Sequence, residues 1–112
     1  MIDYTLILWL LFIHWIADFI FQPDWMAKGK SKNNWILTQH AATYGLIVGI
    51  AMGSLIYGVV NGLIHWCVDY ATSRWNARMY AQGKIHEFFV GIGFDQWLHA
   101  VTLILTLRLL GI

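Results

Sequence analysis

Four apolar runs, each close to the length that crosses a bilayer, are separated along this chain by short polar stretches. A spanning helix needs about 20 mostly apolar residues. Tyr4 to Phe21, Trp35 to Met52, Ser54 to Ser73 and Gly93 to Leu110 supply four such segments. The pattern predicts an all-α, polytopic membrane protein: a four-helix transmembrane bundle with short loops and spans at about 4–21, 35–52, 54–73 and 93–110. Only a tight turn at Gly53 separates the second run from the third, and no stretch remains for a soluble domain, so residues 1–112 read as a single transmembrane domain. The stretch "MIDYTLILWLLF" has no basic n-region and no small-residue cleavage site after it, so it reads as a retained first span.

The polar stretches carry an orientation. Asp24, Lys28, Lys30 and Lys32 lie in the first connection, and Arg74, Arg78, Lys84 and Glu87 in the third. In a four-span chain these two connections share a side, and they hold six of the seven Lys and Arg residues. The positive-inside bias then places both in the cytoplasm and both termini outside, in a bacterial inner membrane. Membrane lipids are the expected partners, with each basic residue at anionic headgroups worth about 1 kcal/mol. The segment "PDWMAKGKSK" is expected to lie along that surface, and His86 to be a solvated loop residue. Trp25, Trp35, Trp75 and Trp97 flank the same ends as an interfacial aromatic belt. Gly45, Gly49 and Gly53 form one small-residue ladder and Gly58 and Gly62 another, suited to close helix contact within the chain or in a homo-oligomer.

Composition agrees with a bilayer setting. The chain is 59% hydrophobic and only 12% charged, with mean hydropathy +0.58, whereas a soluble domain carries about 25% charged residues. A net charge of +1 gives no reason to expect a nucleic-acid partner. Cys67 is the only cysteine, which excludes an internal disulfide and a cysteine-based zinc finger.

Against this background the ionisable residues inside the runs stand out. Arg108 lies near the end of the fourth and can snorkel; the others are His14, Asp18, His40, His65, Asp69, Asp95 and His99. Three runs carry a His and an Asp four positions apart, on one helical face. His precedes Asp in the first and third, and Asp precedes His in the fourth, which runs the opposite way. All three pairs therefore point in one direction, with Asp nearer the cytoplasm and His about one turn (~6 Å) deeper. Asn61 extends the third face, and Thr102 and Thr106 the fourth. An intramembrane Asp costs about 2.5–3.5 kcal/mol even on lenient scales, so these carboxylates must face one another, a cavity or a cation.

Three readings fit. A His and Asp one turn apart present two ligands to one ion, and mixed imidazole and carboxylate donors suit zinc, with iron or manganese as alternatives. Seven candidates exceed the four ligands zinc usually takes, which implies two ions or Asp residues that orient His rings. The same residues could form a proton relay, or neutral pairs holding the bundle together.

The pieces "HWIADFIFQPDWMAKGKSK", "LTQHAATYG", "IHWCVDYATSR" and "FDQWLHA" resemble a family of small bacterial and phage inner-membrane proteins, the domain of unknown function 3307. The resemblance implies topology but no settled activity. More loosely, the motifs are similar to those of inner-membrane proteins described as metal-dependent hydrolases, which carry His and Asp in apolar helices. The expectation is a metal-dependent membrane hydrolase acting on a lipid or headgroup ester at the cytoplasmic leaflet. His14, His65, His99 and His40 would supply nitrogen ligands. Asp18, Asp69 and Asp95 would be ligands, orienting partners or, in one case, the general base. Two alternatives stay open: a proton or ion conduit through the same cluster, and a small non-enzymatic membrane interaction protein.

Overall fold

In the computed structural model, which describes residues 3–112, every regular element is helical and most helix ends have a local cause. Asp3 starts α1 (Tyr4–Trp15) by accepting a hydrogen bond from the Leu6 N–H at 3.1 Å. Helix α1 runs into a π-helical turn, Ile16–Ile20, in which the Phe21 N–H donates to the Ile16 carbonyl at 3.0 Å. A short helix α2 (Asp24–Gly29) follows. Asn33 caps α3 (Asn34–Met52), accepting from the Trp35 and Ile36 N–H groups at 2.8 and 3.3 Å. Gly53, at φ 63°, closes α3 in the left-handed conformation glycine permits, and Ser54 caps α4 (Leu55–Ala81). The Gln82–Lys84 turn leads to α5 (Ile85–Leu109).

The last two helices outrun the segments expected to span. No Gly or Pro interrupts the chain between Ser73 and Gly83, so α4 continues to Ala81 and carries Arg74 and Arg78 with it. His86 likewise stands exposed on the first turn of α5 rather than in a loop. By length and composition one helix, Ile85–Leu109, is apolar enough to cross a membrane; Tyr4–Ile20 is apolar but shorter.

Helices α3 and α4 form an antiparallel hairpin whose backbones nearly touch. A Cβ on Gly58 would lie 2.5 Å from the Gly45 carbonyl oxygen and 2.8 Å from the Gly49 Cα, so the two glycine ladders meet inside the chain. Helix α5 packs on α4, and Gly91 leaves the room taken by Asn76 and the Trp75 ring. Helix α1 lies against α3 and α5 and completes a four-helix ring.

The interior is as polar as it is apolar. Glycines apart, ten buried side chains are hydrophobic and ten polar or charged among the described residues. Leu10, Ile13, Ala17, Tyr44, Val48, Tyr57 and Leu103 form the apolar core. The Tyr57 hydroxyl donates to the Leu103 carbonyl at 2.6 Å, and Asn61 Nδ2 donates to Thr106 Oγ1 at 3.0 Å. The outward faces carry Leu8, Leu46, Ile50, Leu55, Leu63 and Leu105, all exposed.

Candidate metal centre

The π turn at Ile16–Ile20 decides where the first carboxylate points. One π turn inserts an extra residue into a helix and re-aims the side chains around it. Asp18 sits within it, 3.8 Å from its helical neighbour His14 but 2.9 Å from His40 Nε2 on α3 and 3.3 Å from His65 Nε2 on α4. Asp69, one turn along α4 from His65, approaches the same two nitrogens at 3.2 and 3.3 Å. His40 Nε2 and His65 Nε2 are themselves 3.0 Å apart.

Four donor atoms thus converge: Asp18 Oδ1, Asp69 Oδ2 and the two histidine Nε2 atoms. Five of the six edges of this figure measure 2.9–3.3 Å. Ligands set tetrahedrally at about 2.0–2.1 Å from a zinc-sized ion are about 3.3–3.4 Å from one another. The four residues are buried and can hold a metal ion. The His65 ring is fixed between Tyr44 and His99, with centroids at 3.8 and 3.9 Å. Stacking orders this ring, because Nδ1 of His65, like that of His40, has no hydrogen-bond partner.

Asp69 bridges to a second group. Its Oδ1 lies 2.9 Å from His99 Nε2, which also meets Asp95 Oδ1 at 3.2 Å. Asp18, Asp95 and His99 form a second set able to hold an ion. Thr72 Oγ1 donates to Asp95 Oδ1 at 2.5 Å, and Gln96 Nε2 donates to Asp95 Oδ2 and Asp18 Oδ2 at 3.1 and 3.3 Å.

His14 stands to one side. With the Gln96 amide donating to two carboxylates, its Oε1 is left to accept from His14 Nε2 at 2.6 Å. The other ring nitrogen, Nδ1, pairs with the Tyr44 hydroxyl at 2.9 Å. Both nitrogens are engaged, and neither metal-competent group includes this residue.

Three carboxylates in a buried site require compensating positive charge. One cation comes from a residue the sequence placed among headgroups. Lys30, just after α2, turns inward with only 15% of its side chain exposed and sets Nζ 2.8 Å from Asp69 Oδ2. Burial works to lower its pKa, but Asp69, Asp18 and Asp95 outweigh it and hold the ammonium above the ordinary lysine value.

Lys30 lies within a cavity of about 650 Å³ whose floor is Asp18, Asp69, Asp95 and Gln96. Phe19, Tyr80, Phe88 and Ile92 make an apolar wall, and Lys28 and Lys32 stand at the rim. Gln22 Oε1, Ser73 Oγ and Asn76 Oδ1, all on residues lining the cavity, are buried without a hydrogen-bond partner.

The structure therefore brings together Asp18, His40, His65, Asp69, Asp95 and His99, and interleaves the expected His and Asp layers into one cluster. Lys30, Gln96, Tyr44 and Thr72 belong to it and were not foreseen. Tyr44 lies one turn beyond His40 and Gln96 beside Asp95, so periodicity and adjacency could have found them; the inward turn of Lys30 has no sequence signal.

The model of a family described as "Protein of unknown function (DUF3307)" matches residues 6–111 of the chain. No curated protein and no solved structure matches it.

Proposed function

The chain belongs to the DUF3307 family of proteins of unknown function, and since that membership assigns no chemistry, we propose from the site that it is an integral membrane, metal-dependent hydrolase. The substrate is a lipid or headgroup ester reached from the cytoplasmic leaflet. The observation that carries this reading is the four-atom figure of Asp18, His40, His65 and Asp69, with edges suited to a tetrahedral ion. Zinc fits the donor set first, with iron and manganese as alternatives, and His99 with Asp95 offers a second position. A four-span arrangement in the bacterial inner membrane, with both termini outside, is supported by the polar interior, the apolar outward faces and the basic residues gathered at one end.

When bound, such an ion polarises the ester and lowers the pKa of a water toward about 7. Asp95 is the carboxylate placed to take a proton from the attacking water, because it lines the cavity and is held on both oxygens by Thr72 and Gln96. The water oxygen adds to the ester's central atom, the ester bond breaks, and Asp95 returns the proton to the departing oxygen. Asp18 and Asp69 would hold the ion with His40 and His65, and His14 fixes Gln96. What weighs against the conduit reading is that side-chain hydrogen bonds from the cluster end at Tyr44, and none joins it to the buried Asn61–Thr106 pair beyond.

Elemental analysis of protein purified in detergent without chelators tests the proposal. One or two zinc-class ions per chain are expected. Asp69→Asn should lose metal and ester hydrolysis together while still inserting and folding. A metal content near zero in the parent protein sinks the hydrolase.

A further inference from the structure

We infer that the cavity beside the cluster is a binding chamber for a phosphoryl group carried on a hydrocarbon chain, a lipid phosphate in chemical class. This deepens the proposed hydrolase by naming its substrate class, and it rests on that reading for the charge of the floor. Three carboxylates alone would repel an anion; with a divalent ion and the Lys30 ammonium beside them, the floor attracts one.

Three observations converge on a phosphoryl amphiphile. The first is positive charge in graded depth: Lys30 within the chamber, Lys28 and Lys32 at its rim. Lys30 offers three N–H donors and uses one on Asp69, leaving two for an incoming oxygen. The second is unmet hydrogen bonding. Ser73 is 9% exposed, and its hydroxyl finds no protein partner; buried Gln22 Oε1 and Asn76 Oδ1 on the same lining are also orphaned. Native interiors leave few such groups; the Ser73 hydroxyl can donate to a phosphoryl oxygen, while the two amide oxygens, which only accept, can take the proton of a phosphoryl or headgroup hydroxyl. The third is the wall. Phe19, Tyr80 and Phe88 turn one side of the chamber apolar, next to outward faces that carry Ile20, Phe89 and other exposed apolar side chains. A headgroup in the chamber can thus keep its chain in hydrocarbon. Free phosphate shares the anionic chemistry but gains nothing from this wall.

The test is binding of long-chain phosphatidic acid to the zinc-loaded full chain in detergent, with metal content measured on the same samples. Diacylglycerol, which lacks the phosphoryl group, and inorganic phosphate, which lacks the chain, serve as competitors. Saturable binding is expected, with diacylglycerol and inorganic phosphate each competing far more weakly. Lys30→Met should weaken binding by about tenfold or more, the value of one charge-assisted hydrogen bond. Lys30→Arg should restore most of it, and Ser73→Ala should weaken binding by a smaller factor. Thermal unfolding of each variant shows that the loss is not one of folding. Equal competition by diacylglycerol, or undiminished binding by Lys30→Met, overturns the phosphoryl assignment; equal competition by inorganic phosphate overturns the amphiphile. Zinc-bound protein that fails these criteria sinks this inference alone, whereas protein that takes up no zinc sinks the hydrolase and with it the floor charge on which this inference rests.

Discussion

Individual side chains in this protein are defined less by their own helix than by what faces them. Sequence spacing grouped His14 with Asp18, His65 with Asp69, and Asp95 with His99. All seven polar positions are buried, where an unpaired carboxylate would be costly. The pairing is another matter: Asp18 turns to His40 and His65, and His14 spends both nitrogens on Tyr44 and Gln96. Spacing fixes which face a residue occupies, but its partner depends on helix rotation, which a π turn alters and no periodicity reveals. A testable difference follows. His14→Ala should lower zinc affinity by about 10–100-fold, the range for a residue that orients ligands. His40→Ala and His65→Ala should exceed that range and abolish stoichiometric binding. Competition with a chromophoric chelator measures all three; equal losses would make His14 a ligand, as its spacing alone suggests.

At the scale of elements, helix identity was legible and helix length was not. The Gly53 turn and the apolar run from Trp35 to Met52 are local signals, and they correspond to the boundaries of α3 and the start of α4. The extra turns of α4 are polar and so escape a search for apolar runs, and the inward Lys30 depends on contacts across the bundle. The α3–α4 hairpin matters most, because it sets His40 against His65. Its glycine contact makes a sharp prediction. In Gly58→Ala the new Cβ would meet backbone at 2.5 and 2.8 Å, which no side-chain rotation can relieve. The helices must part, and overpacking of this kind costs about 1–3 kcal/mol. Gly93→Ala meets nothing within 4 Å and should be neutral or stabilising, since alanine is the better helix former. Thermal unfolding in detergent compares them. Gly58→Ala should also weaken zinc binding by moving His40 away from His65; a variant that unfolds earlier yet binds zinc like the parent would uncouple hairpin from site.

The whole molecule inverts the usual distribution of polarity: carboxylates, imidazoles and an amide lie inside, while leucine, isoleucine and tryptophan cover the outside. Its long dimension is 44 Å, close to the ~40–45 Å of a bilayer with its headgroup regions. Among the described residues only α5 passes as a span by apolar length alone. A four-span membrane topology therefore makes a claim that hydropathy by itself does not carry. Lys32 and Lys84 are exposed at the basic end, and Ile112 belongs to the opposite one. In a Cys67→Ala background, which removes an exposed thiol, Lys32→Cys and Lys84→Cys should resist an impermeant maleimide in intact spheroplasts and react after permeabilisation. Ile112→Cys should react before it. The reverse pattern would invert the protein and open the chamber to the outside, away from the leaflet assigned to its substrate. Labelling of only one of the two lysine positions would mean that α3 and α4 do not both cross, and a chain so threaded could not bring Asp18, His40 and His65 to one ion.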